Sequence, residues 1–597
     1  MIRMLVLLSC VTAAAQDPAA GVTVERGLRV AMRDGVELAA DVYLPRGDAG
    51  RLPVLVARTP YNRQGLRGEA EVYARHGYAV VAQDVRGRFD SGGDFYPFVN
   101  EGPDGFDTIE WAARQPWSNG KVGTFGASYL AWAQYRAAME RPPHLAAMFA
   151  NVGGGEFYQE FAYPGGAMNS GWGLWIVKSA ETSAAADRQR EAKAALTRIL
   201  ENPGEWFALH PRRRAEVLRP FPAHLRIYED FLAHPRPDEY WRDPAFFVPG
   251  TWRRMKDVPV LFISGWYDYF AEGLLRNFDG LSRLQKSAHR LVMGPWWHAV
   301  GGRECGDADF GAEAAADVRA LTLDWFDHWL KGKPLALAGN EPVRYFRMGG
   351  GSGRVNEKGR REHGGAWRSV PRWPPHTREK TLFLGAGFTL AARAGEAPPV
   401  TYEFDPRNPV PTIGGRYGMG NWTPNCFQNQ VCRQGALGCR DERPLTERDD
   451  VLSFISAPLE EAIEVSGAAR VKLWVSTDGP DTDFAVKLID VAPDGYAAHI
   501  ADGVLRMRYR KGWDREARAA AGEAAGLEIV LNQVSNLFAK GHRIRLDVTS
   551  SNWPQFDPNP NTGEPVNEWT RTRVARNTVY LDRKRPSQLI LPVVVGQ

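Results

Sequence analysis

Two kinds of apolar pattern divide this chain. Up to about residue 335 the apolar positions come in short, nearly continuous runs, such as VPVLFIS at 258–264, HRLVM at 289–293 and the start of VVAQDVRGRFDSGGDF at 80–95. Runs of this length with few polar breaks predict strands buried on both faces, as in a parallel sheet. Helix-like stretches alternate with them, at Glu272 to Leu284 and near Ala314 to Leu330. Beyond about 336 the period becomes two: Ile544, Leu546 and Val548 alternate with Arg543, Arg545, Asp547 and Thr549, and Val471, Leu473 and Val475 repeat the pattern. That alternation predicts half-buried antiparallel strands stacked as a sandwich.

The α/β pattern is interrupted once. Residues 155–245 open with the aromatic, glycine-rich EFYQEFAYPGG and continue into helical runs such as Ala184 to Leu200. The expected organisation is therefore α/β over 16–154, a helical insertion over 155–245, a return to α/β over 246–335, and an all-β region over 336–597.

Candidate chemistry sits at three strand ends, where open α/β sheets gather reactive groups. KVGTFGASYLAWAQ at 121–134 reads as a strand ending in Phe125, a turn through Gly126, Ala127 and Ser128, and a helix from Tyr129. Such an elbow holds a nucleophilic serine in a strained backbone so that its hydroxyl projects from the sheet. The usual G-x-S-x-G pattern would place glycine at 130, where this chain has Leu130; Gly126 and Ala131 supply the small residues the turn needs. Downstream, GWYD brings Asp268 after the 258–264 strand, and GPWWH brings His298 after the 289–293 strand. An aspartate after a strand is commonly a helix cap, and a histidine beside two tryptophans is commonly packed. Ser, Asp and His in that order at successive strand ends is the arrangement of an α/β-hydrolase triad. Glu272 competes for the acid role but falls one helical turn later. In the Gly-rich loop after residue 84, Asp84 and Arg86 are expected to form a structural ion pair, and neither phosphate-binding glycine motif is present.

The elbow, GWYD and GPWWH together resemble the motifs of the cocaine esterase and X-Pro dipeptidyl-peptidase superfamily, which also holds glutaryl-cephalosporin acylases and α-amino acid ester hydrolases. The elbow is similar to that family's G-x-S-Y-x-G form, with Ala131 in place of the last glycine. The resemblance implies an α/β-hydrolase domain, a helical cap ending near HPRPDEYW at 234–241, and a C-terminal jelly roll containing FDPRNPVPTIGG, DGVLRMRYR and SSNWPQFDPNP. It also implies an oxyanion hole made of the Tyr129 backbone N–H and the hydroxyl of Tyr61, in VLVARTPYNR. Such a serine hydrolase works without metal or organic cofactor on a small-molecule or peptide-like acyl substrate. Trp132, Trp266, Trp296 and Trp297 suggest an apolar or aromatic acyl pocket, while Glu156 and Glu160 at the cap entrance offer an alternative contact for an amine. An ester or acyl amide leads as substrate, and X-Pro dipeptidyl-peptidase or α-amino acid ester hydrolase activity comes second. The rival from another class is a non-catalytic glycan-binding protein.

Charge and cysteines refine this picture. With 74 basic and 70 acidic side chains over 597 residues the formal charge is +4. That balance gives no case for nucleic acid, and the Arg212 to Arg214 cluster reads as a solvated helix face. No apolar run approaches the roughly 20 residues of a membrane span. MIRMLVLLSCVTAAAQD reads as a signal peptide over 1–15, cleaved after Ala15, with acylation at Cys10 as the weaker lipoprotein alternative. Export to the periplasm or beyond makes disulfides the expected state of Cys305, Cys426, Cys432 and Cys439, with all three pairings open.

Overall fold

The computed structural model describes residues 21–47, 50–336, 341–416, 425–513 and 515–596. The signal-peptide reading and Cys10 lie outside the described residues. Eight strands build the first sheet: β1 (Val22–Ala31), β2 (Glu37–Pro45), β3 (Leu52–Thr59), β4 (Ala79–Asp84), β5 (Ser118–Ala127), β6 (Leu145–Asn151), β7 (Val260–Gly265) and β8 (His289–Gly294). They lie in the order 1-2-4-3-5-6-7-8, antiparallel through β1, β2 and β4 and parallel from there onward. β4 and β7 are buried at every position, the condition their continuous apolar sequence dictates.

Helices Arg67–Arg75, Glu101–Ala113, Tyr129–Met139, Ala271–Leu284 and Val318–Lys331 pack around this sheet. Between β6 and β7 the chain leaves it for a helical insertion that includes Gly171–Glu181, Arg190–Glu201 and Pro222–Ala233. The helical run expected over Ala184 to Leu200 is two helices, Ala184–Asp187 and Arg190–Glu201.

The C-terminal part is an all-β domain, yet its first strand joins the other sheet. Val343–Met348 runs parallel to β8, with Val343 opposite Leu291, and antiparallel to Gly365–Val370. The two halves of the chain thus share a continuous edge. Beyond it, Ile463–Thr477 pairs antiparallel with Ala525–Phe538 over a long register, and its alternating burial from Ala469 to Val475 follows the period-two pattern. Strand Arg543–Thr549 departs from that expectation: Arg545, Asp547 and Thr549 are buried too. Asp547 sits between Arg545 and Ser453 in hydrogen-bonding distance of both, so its carboxylate is satisfied inside the domain instead of by water.

Ion pairs anchor these regions, and some of them correct the sequence reading. Asp84 pairs with Arg63, not Arg86; Arg86 bonds Asp34 and Asp104. Arg214 is no solvated side chain: it is 2% exposed and makes a two-pronged bond to Asp557 of the all-β domain at 2.8 and 2.7 Å. Arg416 donates to the Trp266 carbonyl, to Glu272 and to the Gln533 carbonyl, binding the helix after β7 to the all-β domain. Cys305 is disulfide-bonded to Cys426 and Cys432 to Cys439.

Candidate active site

Ser128 has φ 61° and ψ −119°, a backbone conformation that costs an L-residue energy and persists only when its surroundings enforce it. They do so through tight packing. A Cβ on Gly126 would meet the Leu130 side chain at 2.5 Å, and one on Gly153 would meet Ala131 Cβ at 2.6 Å, so strand and helix touch where the sequence is small. The Ser128 N–H donates to the Asn151 carbonyl at the end of β6, and the Ser128 carbonyl accepts the first turn of helix Tyr129–Met139. As the first residue of that helix, Tyr129 has an N–H with no intrahelical acceptor, and it adjoins the Ser128 side chain. The Tyr129 side chain points elsewhere: its hydroxyl donates to Glu101 and accepts from the Phe98 N–H, and burial raises its pKa well above the phenolic range.

Asp268 and His298 are brought together by two loops clasped backbone to backbone. The Trp266 N–H donates to the Gly294 carbonyl and the Tyr267 N–H to the Trp296 carbonyl. Gly265 admits this approach, since a Cβ there would lie 2.1 Å from the Trp296 oxygen. Asp268 is fully buried; its Oδ1 lies 2.8 Å from His298 Nδ1, and its Oδ2 accepts from Ser264 Oγ at 2.7 Å. Both carboxylate oxygens are thus engaged, and His298 presents Nε2 as its other ring nitrogen. Tyr269 stacks on the imidazole with centroids 4.3 Å apart. Glu272 is held away from this pair: burial works against its ionisation, but Arg416 and Gln533 outweigh it and hold the carboxyl below its ordinary range.

Tyr61 reaches Ser128 from the far side. Tyr61 and Ser128 line the same small cavity, and the Tyr61 hydroxyl accepts from Trp175 Nε1 at 3.1 Å. Nearly half of the residue (48%) is open, but the hydroxyl end is enclosed, and that enclosure raises its pKa.

The cavity over Ser128 is small, about 40 Å³, and aromatic, with Tyr61, Trp132, Phe157, Phe161, Trp175 and Tyr269 among its walls. A larger space of about 760 Å³ at the junction with the all-β domain shares Tyr269 as a wall. Of the four tryptophans expected to form the pocket, Trp132 lines the small cavity. Trp266 instead donates to the Phe346 carbonyl and stacks on Trp373, and Trp296 donates to the Ala314 carbonyl beside Trp367. Both seat the all-β domain against the sheet, and Trp297 is 38% exposed. The sequence reading missed Phe157, Phe161 and Trp175, although the aromatic opening of the insertion, EFYQEFAYPGG, contains the first two. Among the described residues no cluster of three or more His, Cys, Asp or Glu side chains could hold a metal ion.

A serine on a strained elbow and a buried aspartate paired with a histidine, at the strand ends of one parallel sheet, define a serine hydrolase. Residues 34–300 match the X-Pro dipeptidyl-peptidase (S15 family) domain and residues 337–590 the X-Pro dipeptidyl-peptidase C-terminal non-catalytic domain. The cocaine esterase of Rhodococcus sp. (strain MB1 Bresler) is 34% identical, with 96% of this chain and 99% of that protein aligned. The chain therefore belongs to the cocaine esterase and X-Pro dipeptidyl-peptidase family, and it is a hydrolase of ester or amide bonds. The fold is shared with an α-amino acid ester hydrolase (TM-score 0.76, 23% identity, 98% of each chain). It is shared too with a CocE/NonD family hydrolase from Staphylococcus aureus (TM-score 0.68, 20% identity, 96% of this chain and 94% of that one). The family match makes the chain a hydrolase in place of the non-catalytic glycan-binding alternative.

Proposed function

We propose that this protein is an exported acyl esterase or acylase working through an acyl-enzyme on Ser128. The Asp268–His298 contact carries the reading: with Nδ1 held by a buried carboxylate, Nε2 is the basic nitrogen that takes the Ser128 proton. Ser128 Oγ attacks the acyl carbon, and the oxyanion forms against the Tyr61 hydroxyl and the Tyr129 N–H. Trp175 donates to the Tyr61 oxygen, so the Tyr61 proton is available to the substrate. His298 then protonates the leaving alcohol or amine, and water enters by the same general-base route to release the acid. The all-aromatic walls favour an apolar or aromatic acyl group in the small cavity, with the rest of the substrate directed toward the larger space beyond Tyr269.

The carboxylates that would recognise an amine are otherwise occupied. Glu156 pairs with Arg276. Glu160 accepts the N–H groups of Gly155 and Glu156, and burial pushes its pKa up to about 8. This supports an ester or acyl amide ahead of an X-Pro peptide or α-amino ester, as does the name of the cocaine esterase relative. Export rests on the two disulfides, which persist in oxidising compartments.

A panel of aryl esters, acyl amides and X-Pro anilides tests the substrate reading. Highest kcat/KM on an aryl ester or acyl amide is expected; X-Pro anilides turned over fastest would reverse it. Ser128→Ala is expected to remove all turnover while leaving thermal unfolding nearly unchanged.

A further inference from the structure

The loop after β4 buries an arginine whose hydrogen bonds the catalytic cycle does not use. Arg88 is 2% exposed, and its three acceptors are all neutral: Nε donates to the Pro60 carbonyl at 2.9 Å, Nη1 to the Ser179 carbonyl and Nη2 to Thr182 Oγ1, both at 2.8 Å. Burial lowers its pKa to about 10, so the side chain remains a cation at neutral pH. Its compensation is geometric. Ser179 and Thr182 form the C-terminal end of helix Gly171–Glu181, where unsatisfied carbonyls present partial negative charge. Pro60 immediately precedes Tyr61. The same helix carries Trp175, which donates to the Tyr61 hydroxyl. Tyr61 is thus braced twice from one inserted helix, at its ring tip by Trp175 and at its backbone through Arg88.

We propose that Arg88 is a positioning residue for the oxyanion hole: it locks the end of helix Gly171–Glu181 to the Pro60 carbonyl, so that seating the inserted helix sets the place of the Tyr61 hydroxyl. The inference rests on Tyr61 acting as an oxyanion donor. Lysine cannot substitute, because a single ammonium does not reproduce three in-plane N–H directions. The Arg88 charge also favours negative charge beside the Tyr61 hydroxyl.

A double-mutant cycle on an aryl ester tests this, with Arg88→Lys made in the wild-type and Tyr61→Phe backgrounds. In the wild type, Arg88→Lys is expected to lower kcat about tenfold or more with KM little changed, the scale of one charged hydrogen bond. In the Tyr61→Phe background the same substitution is expected to cost less than about twofold, because coupled residues are non-additive. Equal losses in both backgrounds, or a rise in KM at constant kcat, would show Arg88 to be structural only and overturn the inference. Tyr61→Phe that leaves kcat unchanged removes the oxyanion reading itself and this inference with it. If Arg88→Lys does not fold, Thr182→Val deletes one of the three bonds: a kcat loss that vanishes in the Tyr61→Phe background, with Thr182→Ser restoring activity, supports the proposal, and a background-independent loss overturns it.

Discussion

Asp268 and His298 stand 30 residues apart on the ends of neighbouring strands, and the loops that carry them bond directly to each other. Tyr61, lining the small cavity with Ser128, takes its hydroxyl partner from Trp175, 114 residues away, and its backbone brace from Arg88. The proposed acid–base half is therefore built locally, by the sheet. The Tyr61 side of the proposed oxyanion hole is held instead by a helix the chain inserts between β6 and β7, while its other proposed donor, the Tyr129 N–H, comes from the β5 elbow. A site divided this way separates two failure modes. On the proposed mechanism, disturbing the sheet ends is expected to damage proton transfer, and disturbing the insertion to damage charge stabilisation while leaving the histidine in place.

The largest effect expected from breaking the comparison is on the local half. Asp268→Asn should keep the fold and lower kcat by roughly 10⁴, the cost of losing control over the histidine tautomer. Steady-state kinetics check it, and a loss below about tenfold would move the acid role away from Asp268. On the assembled half, Tyr61→Phe deletes one oxygen and keeps the ring. The expected fall is in kcat, on the order of 10² to 10³, with KM little changed, since the bond matters most in the transition state. A raised KM at constant kcat would make Tyr61 a pocket wall. Smaller again, Ser264→Ala removes the donor to Asp268 Oδ2, and its cost in kcat should stay below about 10², the range for one hydrogen bond to a charged group.

The smallest effect is on stability and touches neither half. The Glu272 carboxyl has a folded pKa below its ordinary 4.5. A depressed carboxyl contributes stability that is fully present above the unfolded value and is lost as pH falls through the folded one. Glu272→Gln should therefore flatten the fall in Tm below about pH 4.5 while barely changing kcat at neutral pH. An unchanged acid limb of Tm against pH would show that this contact between the helix after β7 and the all-β domain carries no linkage.

The same division explains what could be read from the sequence. Ser128, Asp268 and His298 were legible as candidates because each follows a strand whose apolar run is unmistakable and sits in a short recognisable motif. Trp266 and Trp296 misled because residue type near a reactive group says nothing about which way a ring points; both turn away to the all-β domain, whose docking leaves no local trace. Arg88, Trp175 and the Arg214–Asp557 clamp were not legible for the converse reason. Their partners lie far along the chain, and an arginine triplet reads as solvated until the all-β domain closes over it. In strand Arg543–Thr549 the alternation was real, but the polar face is covered by a domain that supplies Ser453 and satisfies Asp547 internally.

The central claim is that Ser128 is the nucleophile that both halves of the site serve. Treating the wild-type protein with a fluorophosphonate and mapping the adduct by peptide mass spectrometry tests it most directly. One adduct per chain on Ser128, with hydrolysis lost in proportion to labelling, is the predicted result; full hydrolysis without a Ser128 adduct, or inactivation with the adduct on another residue, would contradict it.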